Sequence, residues 1–169
     1  GKSRLRWEEK RWCSVEKEGE ENSAEKEKER KEFGWREKKE MEMTEKKIRN
    51  LLYIARTEYI ICPVLDDKEK KLMIEAAYED CGEAGKLMEE VGEKGGFEGD
   101  CHELAYLIAS EMGLRKEALK EGIEWLETLG ARDKETALRR VDEMAELCES
   151  NGERNEIVDF YEKIERIKL

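Results

Sequence analysis

The residues with the greatest chemical reach are one histidine, five cysteines and an unusual number of carboxylates. His102 is the single histidine and lies beside Cys101, with Cys81 and Cys148 on the neighbouring expected hairpins. A zinc site needs four convergent ligands, ordinarily supplied in part by a close pair such as Cys-x-x-Cys. No such pair is present, and the cysteines stand singly. They read as buried free thiols that pack like small hydrophobes, and neither a metal nor a cofactor is expected. An odd number of cysteines without a disulfide framework also places the chain in a reducing intracellular compartment.

Carboxylates offer a second chemistry. Glu89, Glu90, Glu93, Asp100 and Glu103 resemble the acidic helices with which all-α nucleotide pyrophosphatases hold magnesium, a task that needs carboxylates aimed inward from facing helices. Acidic residues fill 44 of the 169 positions, so Glu-x-x-Glu spacings arise by chance. Asp100 and Glu103 read better as a capping pair for the helix that follows. With one histidine, no Gly-x-Ser-x-Gly and no phosphate loop, the chain offers no nucleophilic triad, no nucleotide cradle and no small-molecule substrate site. It reads as a non-enzyme.

Tryptophan and arginine carry the strongest signal. Three of the four tryptophans fall in the first 35 positions, as Arg6-Trp7, Arg11-Trp12 and Gly34-Trp35. Trp and Arg anchor interfaces more often than other residues, and Trp is costly to leave in water. Arg6, Trp7, Arg11, Trp12 and Trp35 are therefore the expected partner-binding residues; packing of Trp35 back on the body is the alternative.

These residues must be positioned by helices. Charged residues make up 46% of the chain and there is one proline, a balance that suits solvated helices with narrow apolar stripes. No run approaches the ~20 apolar residues of a membrane span, and the longest, Tyr59 to Leu65, is interrupted by Pro63. Residues 1–50 carry 16 basic and 14 acidic groups, the remainder 17 and 30. A mildly basic arm thus precedes an acidic body, and an acidic body binds phosphate backbones poorly. The chain opens at Gly1, which implies processing or preceding residues.

Residues 1–43 form a charged arm of low complexity that cannot fold alone, biased toward helix by pairs such as Glu27–Lys31. From residue 44 to 169 a helical domain is expected. Ile48, Leu51, Leu52, Ala55 and Tyr59 follow one helix face, Pro63 stops that helix, and Asp66-Asp67 caps the next. Six further helices are predicted over about 67–81, 84–94, 100–112, 115–129, 133–150 and 154–168. They pair as three hairpins turning at Gly82, Gly113 and Gly152, with breaks at Gly95-Gly96 and Gly130. Expected core positions include Leu138, Val141, Ala145 and Cys148, covered by Val158, Tyr161 and Ile164.

The segment Met144-Ala145-Glu146-Leu147-Cys148, Asn151-Gly152 and Ile157 through Ile164 resembles a tetratricopeptide or pentatricopeptide hairpin. Leu87 through Gly96 with Asp100, and Trp125 through Asp133, look like the ends of pentatricopeptide motifs. The resemblance spans residues 67–168 and implies an all-α fold: a short stack of about three antiparallel hairpins after a partly helical arm. It further implies an organellar setting, a mitochondrion or chloroplast, in a ribosome or gene-expression complex; the cytoplasm is the alternative. Family readers of RNA bases are small polar residues, whereas the matching positions hold Leu72-Met73, Glu103-Leu104 and Asp142-Glu143. The favoured reading is an architectural adaptor that binds protein subunits through its arm and hairpins, touching RNA only through the complex or the arm. An RNA-binding pentatricopeptide-like module and the magnesium-dependent pyrophosphatase are the alternatives.

Overall fold

The computed structural model describes residues 23–92, 96–129 and 133–167, and every regular element among them is helical. The order is α1 (Ser23–Ile61), a 3-10 turn (Cys62–Val64), α2 (Asp67–Val91), α3 (Glu98–Glu111), α4 (Arg115–Leu129), α5 (Lys134–Leu147) and α6 (Asn151–Glu165). The chain divides into two compact units, Gly1–Lys46 and Lys47–Leu169.

In the first unit the described residues form the opening part of α1. Glu27 and Lys31 approach to 3.9 Å with both side chains well exposed, the expected weak helical pair.

In the second unit, α1 buries Ile48, Leu52 and Ala55, with Leu51 and Tyr59 packed beside them, so the expected stripe faces the core. Pro63 falls in the 3-10 turn, and the Asp66 carboxylate accepts a hydrogen bond from the Glu69 N–H at 2.8 Å to start α2. The sequence reading fails at the next step. Gly82 does not turn; α2 runs unbroken through Gly82 and Gly85 for 25 residues. A glycine inside a helix costs only about 1 kcal/mol, which a long packed helix absorbs. The first hairpin is therefore α1 with α2, not two halves of α2. Gly92, with φ 75°, ends α2 ahead of the expected residue 94.

Gly113 does turn. Its φ is 74°, and the N–H groups of Gly113 and Leu114 close back on Ser110 and Ala109 to end α3. Gly152 does not: the α5–α6 turn is Cys148 to Ser150, and Gly152 lies in the first turn of α6. Ser150 and Glu153 form a reciprocal capping box there. Asp100 proves to be a first-turn residue of α3, whose N-cap is Phe97. Gly96 stands at the expected break with φ 70°, whereas Gly95 and Gly130 lie outside the described residues.

Two buried clusters result. Ile48, Leu52, Ile74, Ala77 and Cys81 join Cys101, Leu104 and Ile108, while Tyr106 and Ala109 on another side of α3 join Trp125, Val141, Met144 and Ile157. α3 is thus shared by both clusters. Two corrections follow for the last hairpin: Ala145 is exposed, and Val158 and Tyr161 point largely to solvent at 51% and 42%. Ile157, Phe160 and Ile164 make the cover instead.

Candidate functional site

Between α2, α3 and α4 lies an open groove of about 1170 Å³. Glycine at 82 and 85 keeps the α2 wall low; a Cβ on Gly82 would meet nothing within 4 Å, and one on Gly85 only the Cys101 sulfur at 4.0 Å. Cys81 and Cys101 face one another at the base, each thiol within 4 Å of the other's carbonyl oxygen (3.7 and 3.9 Å). The Cys101 thiol is pushed up by its contact with the Cys81 sulfur and then by burial, so it is held as a neutral thiol. Seven glutamates line this groove against two lysines, Lys86 and Lys120.

Three side chains converge on its wall. His102 Nδ1 lies 2.7 Å from Glu121 Oε2 and 3.2 Å from Glu124 Oε2. The carboxylates come from successive turns of α4 and the imidazole from α3, and each is roughly one-quarter to two-fifths exposed (24%, 28% and 38%). The hydrogen bond to Glu121 raises the imidazole above its ordinary range despite partial burial. Among the described residues, these three form the group of His, Cys, Asp and Glu whose ligand atoms gather within 4.8 Å.

A second polar hub ties the hairpins together. Arg115, at the start of α4, places Nη1 2.9 and 2.8 Å from the two Glu153 oxygens and 3.2 Å from the Leu147 carbonyl. That guanidinium, with N–H groups of the α5–α6 turn, holds the Glu153 carboxyl down to about 2. In α1, burial and the neighbouring Asp80 carboxyl of α2 push Glu58 up to about 7.

The other feature is apolar. Tyr53, Ile60 and Val64 are 73%, 63% and 84% exposed, with Ile54 at 47% and Leu72 of α2 at 63%. Tyr53 and Ile60 are seven residues apart and share a face, roughly 140–160° from Ala55 on the buried side at ~100° per residue. α1 therefore carries exposed apolar side chains away from the face that the core uses, with Arg56 and Thr57 exposed beside them.

Of the expected partner-binding residues, Trp35 is 61% exposed and carries Lys39 Nζ 4.8 Å from its ring centroid, so it does not pack away into a core. Arg6, Trp7, Arg11 and Trp12 lie outside the described residues. Of the acidic residues weighed for magnesium, Glu103 lies 3.9 Å from Arg140 and Glu89 lines the groove, and Glu93 is outside the described residues. Glu121 and Glu124 were missed because one more Glu-x-x-Glu is unremarked in a chain this acidic. The signal that could have found them is their distance from His102, one helix back across a tight turn. Compared with known proteins, the chain matches no family model, no curated protein and no solved structure.

Proposed function

We propose that the protein is a non-catalytic adaptor of a larger assembly, binding partner proteins through its helical hairpins and its arm. The observation that carries this reading is the unpartnered row Tyr53, Ile60 and Val64. Single exposed apolar residues are normal on a surface, but several on one helix and the turn after it suit a protein partner better than they suit water. The acidic groove supports a protein or cationic ligand over nucleic acid, because phosphate contacts draw on Lys and Arg. Trp35 adds an aromatic anchor on the first unit. On the pentatricopeptide-like resemblance, the assembly is an organellar ribosome or gene-expression complex.

The test is native purification of the full chain beside a variant carrying Tyr53→Ser, Ile60→Ser and Val64→Ser. The three side chains are solvated, so the melt should stay where it is while co-purifying subunits are lost. Partners retained at wild-type level would show that this face is not the interface, and a melt that falls would show that it serves the fold. RNA titrated at ~150 mM salt should bind no tighter than nonspecific levels of ~10⁻⁴ to 10⁻⁶ M; nanomolar, sequence-selective binding would favour the RNA-binding reading instead.

A further inference from the structure

The His102, Glu121 and Glu124 side chains form more than an ion pair. One Nδ1–H can serve one acceptor well, yet two carboxylate oxygens lie 2.7 and 3.2 Å from that nitrogen. Among the described residues neither carboxylate has a lysine or arginine ion partner, so at most one positive charge faces two negative ones. The surrounding groove adds further glutamates and only two lysines. Such a field attracts a cation more charged than a proton.

The spacing fits one. Bonds of about 2.0–2.1 Å from a divalent ion to imidazole nitrogen and carboxylate oxygen, at angles of ~90–110°, put neighbouring ligand atoms about 2.8–3.4 Å apart. The two nitrogen–oxygen separations differ from that by tenths of an ångström at most, and all three ligand atoms lie within 4.8 Å of one another, a spread that side-chain rotation can close. Both carrier helices are fixed: α3 and α4 make the most extensive helix pairing of the unit, across the three-residue turn at Gly113. One imidazole nitrogen with two carboxylates is the ligand set of a borderline first-row ion, not of magnesium or calcium, which favour oxygen alone.

We infer that His102, Glu121 and Glu124 bind a divalent transition-metal ion, of the zinc, cobalt or manganese class, on the wall of the α2–α4 groove. Three protein ligands leave coordination positions open toward the groove, where water or a ligand side chain can enter. The inference is independent of the adaptor reading.

The experiment uses the full chain, freed of metal, titrated with cobalt(II) and with zinc(II) in competition with a chromophoric chelator, with melts recorded alongside. One ion per chain is expected, with a cobalt spectrum of nitrogen and oxygen ligation that lacks thiolate charge transfer. His102→Ala and, separately, Glu124→Gln should each weaken binding at least tenfold, whereas Glu117→Gln, a groove carboxylate outside the cluster, should change it less than twofold. Glu124 is partly exposed, so its variant keeps the test open should His102→Ala unfold. Absence of stoichiometric binding would overturn the inference. So would a thiolate band, which would assign the ion to cysteines, or affinity indifferent to both substitutions.

Discussion

Gly122 sets how closely the middle and last hairpins approach. It lies in α4, and a Cβ built there would come 2.8 Å from Met144 Sδ, 2.9 Å from Met144 Cε and 3.1 Å from the Tyr106 ring. Met144 is fully buried in the cluster that α3 to α6 share, so its thioether has no solvent to swing into. Gly122→Ala therefore sets two effects against each other. Helix propensity gains about 1 kcal/mol, while overpacking costs ~1–3 kcal/mol. The net is a loss of roughly 0–2 kcal/mol.

The sign should reverse once the obstacle goes. Met144→Ala alone should cost about 2–5 kcal/mol through the cavity it leaves. In that background Gly122→Ala meets no thioether, and the Tyr106 ring at 3.1 Å can shift by tenths of an ångström into the space vacated, so most of the propensity gain of about 1 kcal/mol should be kept. Urea unfolding of the wild type, both single variants and the double variant closes the cycle, and a coupling of at least ~1 kcal/mol is expected for residues in contact. Gly122→Ala that stabilises both backgrounds equally would refute the close approach of α4 and α5 at this point.

Glu58 titrates in the folded protein near 7, above its ordinary 4.5, because burial and Asp80 favour the protonated form. Its contribution to stability is then complete below pH ~4.5 and lost as pH rises through 7; Glu58→Gln should flatten the melting temperature between pH 5 and 8, and parallel profiles for the two proteins would contradict this. Ser150→Ala removes the acceptor for the Glu153 N–H, which it holds at 3.1 Å, and should cost about 1 kcal/mol by denaturant unfolding. Trp7→Ala with Trp12→Ala should release co-purifying partners without moving the melt; a lowered melt would assign the indoles to the fold.

Much of the architecture was legible because it rests on local rules. The Ile48–Tyr59 stripe, the Asp66 cap and the Gly113 turn each follow from one helix face, one side-chain acceptor or one positive φ. The failures came where a local rule allowed two outcomes. Gly82 and Gly113 look alike in sequence, but only Gly113 has a positive φ; Gly82 sits in a helix long enough to absorb it. In the last helix, Ile157 and Ile164 fit either Phe160 or Tyr161 as the residue between them, and packing against the buried cluster chose Phe160. A single stripe through Leu104, Leu107 and Ile108 does not reveal that α3 serves two clusters: Leu104 and Ile108 pack in one, while Tyr106 and Ala109, with Leu107 beside them, pack in the other. The His102 cluster was illegible for another reason. It depends on a distance across a turn, and single-residue chemistry in a chain with 44 acidic groups could not distinguish Glu121 and Glu124 from their neighbours.

The metal cluster and the apolar row can be separated experimentally because of where α3 sits. The cluster lies on α3 and α4; the exposed row lies on the outer face of α1 and the turn that follows it. Between them stands the buried set Cys101, Leu104 and Ile108, packed on Ile48, Leu52 and Ala55. An ion bound only by the folded chain would stabilise it, by about 2.7 kcal/mol at a hundredfold excess over Kd. That stabilisation reaches a partner on α1 only if the ion favours one of two arrangements of the intervening core. Close-packed interiors of this kind hold one arrangement and do not deform gradually. Added cobalt should therefore raise the melting temperature while leaving affinity for a partner on the Tyr53 face within about twofold. The comparison is of partner affinity with and without the ion in the wild type and in Glu124→Gln. A change of tenfold or more in the wild type alone would mean that α3 transmits between the two sites, and that the groove and the outer face act as one device.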